Sequence, residues 1–362
     1  MKALIIYYPN FERGGVKINF INFLKILKNL DFKKYIITDT NISKSLLGRN
    51  IRIFKIPTIK IALINHKVFS SLISTFAFVK LLIKLRKIET RIVSFQSSFF
   101  ISILCFLLKK KLIIRVSEDP IEATNYADTF FLNYIVFLSK IITYNFAHTI
   151  LANSTQMKKN ISRMCFNKKK IKLLFNMNIK KINKNIDAKK KNIFLSVGRL
   201  CKQKNQSLMI KSFNYFNKFK KNFILLVIGD GPDRQKLQKM VDCYKLNRNI
   251  KILGWKNNIK KYYDTSRYFI LPSLYEGLPN ALIDALNSGL IAFSTNVSGV
   301  KDIYGNNFIS IDKTNYISLG RKMIDVTNHY QKNLKKTKKQ RKNLKIFLNS
   351  KLSEKYIKIL FN

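Results

Sequence analysis

Two carboxylates and one arginine–lysine pair stand where their chemistry could be used. Glu276 follows an apolar run at residues 268–271 (YFIL), Pro272 and Ser273, inside the loop Leu274-Tyr275-Glu276-Gly277-Leu278. Pro279 then opens a helix, since proline at the first helical position gives up only an amide that has no partner there. That helix is expected to turn Ala281, Leu282, Ala285 and Leu286 inward and to stop at Gly289, before a second apolar run at 290–293. Strand, loop, helix and strand in this order put Glu276 at the mouth of a parallel sheet, the place where open α/β sheets bind ligands. Asp284 lies eight positions further on in an otherwise apolar stretch, where a carboxylate is costly unless something hydrogen-bonds to it. Upstream, Arg199 and Lys204 follow another strand-like run at 193–197. A planar fork of donors and a compact charge, five residues apart, suit a phosphate or diphosphate.

Glu276, Gly277, Pro279, Asn280, Asp284, Ala285 and Gly289 together resemble the donor-sugar motif of the family 4 retaining glycosyltransferases, enzymes of the GT-B fold. The family's usual form is a pair of glutamates separated by seven residues. Here the second acid is Asp284, shorter by one methylene. The resemblance implies that Glu276 contacts the donor sugar, with Gly277, Leu278, Pro279 and Asn280 beside it, and that Asp284 holds the ribose hydroxyls of the nucleotide. Arg199 and Lys204 resemble the family's diphosphate grip. Gly229 and Gly231, after a strand at 223–228, and Gly254, after a strand at 250–253, are expected on the same nucleotide side. Taken without the resemblance, the Glu276 stretch also reads as a capped surface loop, and an arginine and a lysine at this spacing are common in so basic a chain.

At 362 residues the chain has room for two domains of ordinary size. A hydrophobic fraction of 47% with 12% aromatics excludes a disordered chain. Lys and Arg number 68 against 19 Asp and Glu, a formal charge of +49. Such a balance favours an anionic partner, which charge alone does not choose among nucleic acid, an acidic membrane and a phosphorylated substrate. Cys105, Cys165, Cys201 and Cys243 form no Cys-x-x-Cys pair, and the three histidines are scattered, so neither a zinc site nor a disulfide frame is expected. No signal peptide is read, and the longest apolar stretches, 68–79 and 97–108, fall short of the roughly 20 residues that span a bilayer.

In chain order, a buried-strand run at 3–8 leads into a loop with Gly14-Gly15 and an amphipathic helix over 16–30. The glycine pair reads either as a phosphate cradle or as a plain tight turn. The resembled family has a glycine pair here, usually followed by an acid where this chain has Lys17. Strand runs at 35–38, 51–56, 91–95, 111–116 and 149–153 alternate with helical ones at 66–87 and 97–109, which implies a doubly wound parallel sheet. Glu118 and Asp119 follow the strand at 111–116 and read either as site acids or as solvated loop acids; many family members carry a histidine in this loop, which this chain lacks. From Tyr330 the chain is strongly basic, through the run KNLKKTKKQRKNLK at 332–345, and the mixed segment at 346–361 is either a basic tail or, as the resemblance implies, a last helix returning to the first domain.

These readings converge on an α/β chain of GT-B architecture, two Rossmann-like doubly wound domains facing a cleft. Residues 1–178 with a returning helix at 346–362 form the acceptor domain, 179–191 a linker, and 192–345 the donor domain. The resemblance implies a metal-independent retaining glycosyltransferase using a UDP-linked sugar, with no cofactor. Gly14, Gly15, Glu118 and Asp119 are expected on its acceptor side. Basic-apolar helices in the first domain suit a lipid-linked acceptor at an anionic membrane face, on the cytoplasmic side, in polysaccharide or glycolipid assembly. A nucleotide-sugar epimerase of the same fold would keep the phosphate grip but form no glycoside. A nucleic-acid binder would account for the charge but not for acids at strand ends.

Overall fold

In the computed structural model of the protein, strand β1 (Ala3–Tyr7) is covered on both faces. Ala3, Ile5 and Tyr7 enter one core layer, and Leu4, Ile6 and Tyr8 the other. A strand buried on both sides must be apolar throughout, as parallel strands under two layers of helices are. The structure describes the chain except residues 1–2, 10–14, 29, 40–41, 44–49, 57–65, 96–97, 127–129, 184–185, 187–189 and 362, and the side chains of 66–72 and 130–132. Its residues fall into two units, 1–177 with 350–362, and 178–349.

In the first unit β1 is followed by α1 (Gly15–Leu27), β2 (Lys33–Thr38), β3 (Ile51–Lys55), α2 (His66–Lys84) and β4 (Thr90–Ser94). Then come α3 (Phe99–Leu107), β5 (Lys111–Arg115), α4 (Pro120–Asn125), α5 (Phe130–Phe146), β6 (Thr149–Ala152), α6 (Thr155–Ser162) and β7 (Ile171–Leu173). All seven strands are parallel, in the order β3-β2-β1-β4-β5-β6-β7. One face carries Phe78 and Leu81 of α2, Ile101 and Cys105 of α3, and Tyr144 of α5 against Ile5, Ile92 and Ile114.

The second unit repeats the pattern. Its elements are β8 (Lys191–Val197), α7 (Gln206–Asn217), β9 (Ile224–Ile228), α8 (Arg234–Cys243), β10 (Ile250–Ile252), α9 (Lys260–Thr265) and β11 (Ser266–Leu271). These are followed by α10 (Asn280–Asn287), β12 (Ile291–Thr295), α11 (Val300–Tyr304), β13 (Ile309–Ile311), α12 (Tyr316–Asn328) and α13 (Tyr330–Gln340). The six parallel strands run β10-β9-β8-β11-β12-β13, so the order reverses between β8 and β11. Phe194 of β8 stacks on Tyr268 of β11 with ring centroids 4.7 Å apart, at the centre of an aromatic core shared with Phe213 and Phe216 of α7.

Within residues 179–191, expected as a linker, the described Ile179, Asn183 and Ile186 pack onto this second unit instead. Ile179 pairs with Leu348, and Asn183 N–H donates to Asn287 Oδ1 at 3.0 Å. Ile186 is buried against Gly289, whose φ of +72° and a neighbour 2.9 Å from any added Cβ both require glycine.

The last helix, α14 (Asn349–Phe361), belongs to the first unit from Ser350 onward. Leu352, Tyr356 and Leu360, four residues apart, are its buried stripe and join Leu4, Phe23 and Val93. Arg115, 2% exposed on β5, donates from Nη1 to Tyr356 Oη and from Nη2 to Asn176 Oδ1, both at 2.6 Å. Its guanidinium also lies 5.3 Å from the centre of the Tyr356 ring. Arg91 on β4 donates to Leu360 O near the end of the same helix, where a cation also meets the negative end of the helix dipole. Tyr356→Phe keeps the packing but removes one bond to a buried charge, worth about 1.5–3 kcal/mol. Urea unfolding of the first unit is therefore expected at a lower midpoint, with the second unit's transition unmoved; an unchanged first midpoint would show that the bond contributes nothing.

Candidate active site

The reversal of strand order in the second unit leaves a crevice outside the carboxyl ends of β8 and β11, and both motif loops leave from those ends. After β8 the chain runs through Gly198, Arg199 and Leu200 into a short 3-10 turn, Lys202–Lys204. Asn205 follows in the left-handed region, φ +52°, and starts α7. Gln206 Nε2 donates to Arg199 O at 2.9 Å, which fixes the backbone of the arginine while its side chain stands at the surface.

Lys204 reaches across to the second loop. Its Nζ lies 2.5 Å from Glu276 Oε1, and Ser273 Oγ donates to the same oxygen at 2.7 Å. Glu276 is 7% exposed and Ser273 fully buried, so the carboxylate is held on one oxygen by an ammonium and a hydroxyl. Further bonds stitch the loops together. Leu274 N–H donates to Gln203 O at 2.8 Å, Gln203 Nε2 to Tyr275 O at 3.0 Å, and Lys313 Nζ to Leu274 O at 2.6 Å. Thr295 of β12 donates to Ser273 O at 2.6 Å. Gly299, φ +84°, comes so close that an added Cβ would lie 2.8 Å from Gly277 O and 2.9 Å from Leu278. Ser273, Gln203, Lys313 and Gly299 thus hold the site and were missed in the sequence. Only Ser273, three residues before Glu276, carried a local signal.

Gly229 and Gly231 prove to be packing residues. A Cβ on Gly229 would sit 1.8 Å from Gly198 O, and one on Gly231 2.2 Å from Leu200 O. Their absence of a side chain lets the loop after β9 lie on the loop that carries Arg199, with Leu200 N–H bonded to Asp230 O at 3.0 Å. Gly254 adopts φ +67° and accepts from Gly229 N–H at 3.0 Å, which extends the same layer. What these three glycines do in the fold is let the loops after β8, β9 and β10 lie close together, through backbone contacts.

The helix behind Glu276 starts one residue later than the proline rule gave. Pro279 has ψ 95°, extended, and is the cap, with Asn280 the first helical residue. The helix ends as expected: Leu290 N–H bonds Ala285 O and Gly289 N–H bonds Leu286 O, a Schellman closure on a left-handed glycine. Asp284, half-buried in α10, accepts no hydrogen bond among the described residues. Burial pushes its carboxyl up from the ordinary 3.8 to about 7, and its charge helps hold the buried Tyr263 phenol neutral.

In the first unit Gly14 lies outside the described residues, and Gly15 is exposed at the start of α1. Glu118 is exposed. Asp119, expected as an acceptor-side acid, is instead a buried helix cap. Its Oδ1 accepts from Ile121 and Glu122 N–H at 3.1 and 3.2 Å, and its Oδ2 from Asn160 Nδ2 at 2.7 Å. Both oxygens are taken up by the fold, so Asp119 is withdrawn as a candidate. Among the described residues no three His, Cys, Asp or Glu side chains converge as a metal-ligand set.

Comparison with known proteins matches the segment that holds the second-unit site. Residues 177–345 fit the family model for glycosyl transferases group 1. A capsular polysaccharide biosynthesis glycosyltransferase, CapH of Staphylococcus aureus, is 35% identical over 44% of this chain and 45% of its own. An N-acetylgalactosaminyltransferase of Campylobacter jejuni, named as acting on a sugar-diphospho-undecaprenol, is 27% identical over 50% of this chain and 52% of its own. The chain spans about half the length of the curated relatives it matches. Among solved structures, Anabaena HepE in complex with UDP and glucose superposes with a TM-score of 0.77 at 14% identity, over 100% of both chains. Sucrose-phosphate synthase of Thermosynechococcus elongatus gives 0.81 at 13%, over 99% of this chain and 98% of that one. At such low identity the likeness establishes the fold, which is GT-B. The segment that fits the group 1 glycosyl transferase family, residues 177–345, takes in nearly all of the second unit, with Arg199, Lys204, Glu276 and Asp284 among its residues.

Proposed function

We propose that the protein is a retaining glycosyltransferase that moves a sugar from a nucleotide-diphosphate sugar, UDP-linked, to a lipid-linked glycan in surface polysaccharide or glycolipid assembly. The observation that carries this reading is the Lys204–Glu276 contact at the mouth of β8 and β11, inside a domain of a sugar-transferring family. During transfer the bond from the anomeric carbon to the diphosphate oxygen breaks, the acceptor hydroxyl oxygen takes its place on the same face of the ring, and the hydroxyl proton passes to the departing diphosphate. Negative charge builds on the departing diphosphate. Arg199 and Lys204 meet that charge where other enzymes use a metal ion. Lysine has three donors, so Lys204 can keep Glu276 in place while it binds phosphate. Glu276 then orients the sugar hydroxyls, and the Asp284 carboxylate accepts from the ribose diol. The capsule and diphospho-undecaprenol relatives support the acceptor class, and the excess of basic side chains supports work at the anionic cytoplasmic face of a membrane.

A bound donor must raise the melting temperature, so a panel of nucleotide sugars tests the reading directly. No shift with any of them would overturn it. With an accepted donor, Arg199→Ala or Lys204→Ala is expected to lower turnover by about 2–4 kcal/mol of transition-state stabilisation. Near-wild-type rates would remove both residues from the mechanism.

Asp284 gives a pH signature. Unfolded, it titrates at its ordinary 3.8; folded, at about 7. Between those values the folded chain binds the extra proton, so this residue's contribution to stability is full below pH 4, falls as pH rises to 7, and is constant beyond. Asp284→Asn should remove that slope and melt higher than wild type at pH 8. Ribose hydroxyls donate best to the ionised carboxylate, so wild-type affinity for a nucleotide sugar should rise through pH 7, while the asparagine variant stays flat. Parallel affinity profiles for the two proteins would exclude Asp284 as a donor ligand.

A further inference from the structure

We propose that the outer surface of α2, α3 and α5 in the first unit is a docking face that inserts into the headgroup layer of an anionic bilayer. Helix α5 has seventeen residues and a single charge, Lys140, and α3 has nine residues and none. Such helices are normally buried all round. Here they are covered on one side only. Phe137, Ile141 and Tyr144 of α5 pack on the core, while Tyr134, Ile135, Leu138 and Ile142 face outward. At the end of α3, Phe106 is 56% and Leu107 68% exposed, and Phe106 stacks on Phe146 of α5 at 4.6 Å. Helix α2 packs beside α3 and presents Phe76 and Ile83, 69% and 63% exposed. An apolar surface continuous over three helices on one side of a sheet marks an interaction site.

The charges around it select the occupant. None of the three helices has an acidic residue. Lys80 and Lys84 alternate with Phe76 and Ile83 along α2, Lys87 lies three residues past its end, and Lys109 to Lys111 come just after α3 and its cap Leu108. Lysines can lay their stems on the apolar surface and lift their ammonium groups to lipid phosphates. A second copy of the same face would bring like charges together, which disfavours self-association. Among the described residues no helix is long and apolar enough to cross a membrane, so docking here is shallow. The inference rests on the membrane association proposed above and sharpens it from attraction by charge to insertion by named side chains.

Flotation of the full chain with phosphatidylglycerol-containing vesicles, and with neutral phosphatidylcholine vesicles, tests it. Wild type should float with the anionic vesicles, and a fraction should stay bound as salt rises, because apolar insertion is not screened. Leu107→Asp combined with Ile135→Asp, both at exposed positions, should lower the partition by at least about tenfold. Leu107→Trp should give a blue-shifted emission on vesicles over that of Trp255, which reports insertion in a chain that folds normally. Unchanged flotation of the double aspartate variant, complete release of wild type by salt, or loss of a lipid-independent dimer in that variant would each overturn the proposal. So would flotation replaced by saturable binding to an acidic protein. A donor-induced melting shift kept by the variant separates this failure from failure of the glycosyltransferase reading.

Discussion

An ammonium and a carboxylate 2.5 Å apart, Lys204 and Glu276, join two loops that are 72 residues distant in the chain. Neither could arrive there unless the strand order reversed between β8 and β11, because only at that reversal do two neighbouring strands send their following helices apart. The pair is largely withdrawn from water, with side chains 22% and 9% exposed, so the cost of desolvating both groups offsets much of their attraction. Its value lies in position more than in stability. In a chain with 19 acids against 68 bases, an acid fixed among cations sets the local field, and the loops around it are tied by backbone bonds that leave it little freedom.

The first unit solves a different problem. Its sheet has two apolar faces, and α1 covers only part of one. Helix α14 supplies the remainder through Leu352, Tyr356 and Leu360, and two buried arginines, Arg91 and Arg115, bind its Leu360 carbonyl and its Tyr356 phenol. Burial pushes the Tyr356 phenol up, which keeps it neutral beside the guanidinium. A buried guanidinium needs such partners, since leaving one donor without an acceptor would cost more than the bond itself contributes.

What could be read in the sequence follows from burial. Strands β1, β8 and β11 are covered on both sides, so they are continuous apolar runs and stand out. Strand β13 has three residues and no such run, and it did not. Helix α5 went unread for the opposite reason: it is apolar on its covered and uncovered sides alike, so no periodicity marks a face. Glu276 and Asp284 stand out in the sequence as acids in a chain that has few, whereas Arg199 and Lys204, common types here, are marked only by their place after a strand. The bonds that hold them, from Ser273, Gln203 and Lys313, join segments far apart in the chain and leave no local trace. Asp119 shows how an acid can mislead. Directly before Pro120 it is a helix cap by its position, a signal present in the sequence and outweighed by its place at a strand end.

The placement of α14 also sets an order of assembly. The second unit is one unbroken segment, residues 178–349, and all of its strands are made before synthesis reaches the last helix. The first unit begins earlier yet closes later. Leu4, Phe23 and Val93 have left the ribosome some 250 residues or more before Leu352, Tyr356 and Leu360 exist to cover them. During that interval the part of that face which α1 does not cover stands open to water, as does any apolar surface awaiting its cover. Of the two units, the one whose synthesis starts earlier is thus the one that finishes later, and the second unit can fold completely while the first still waits for its last helix.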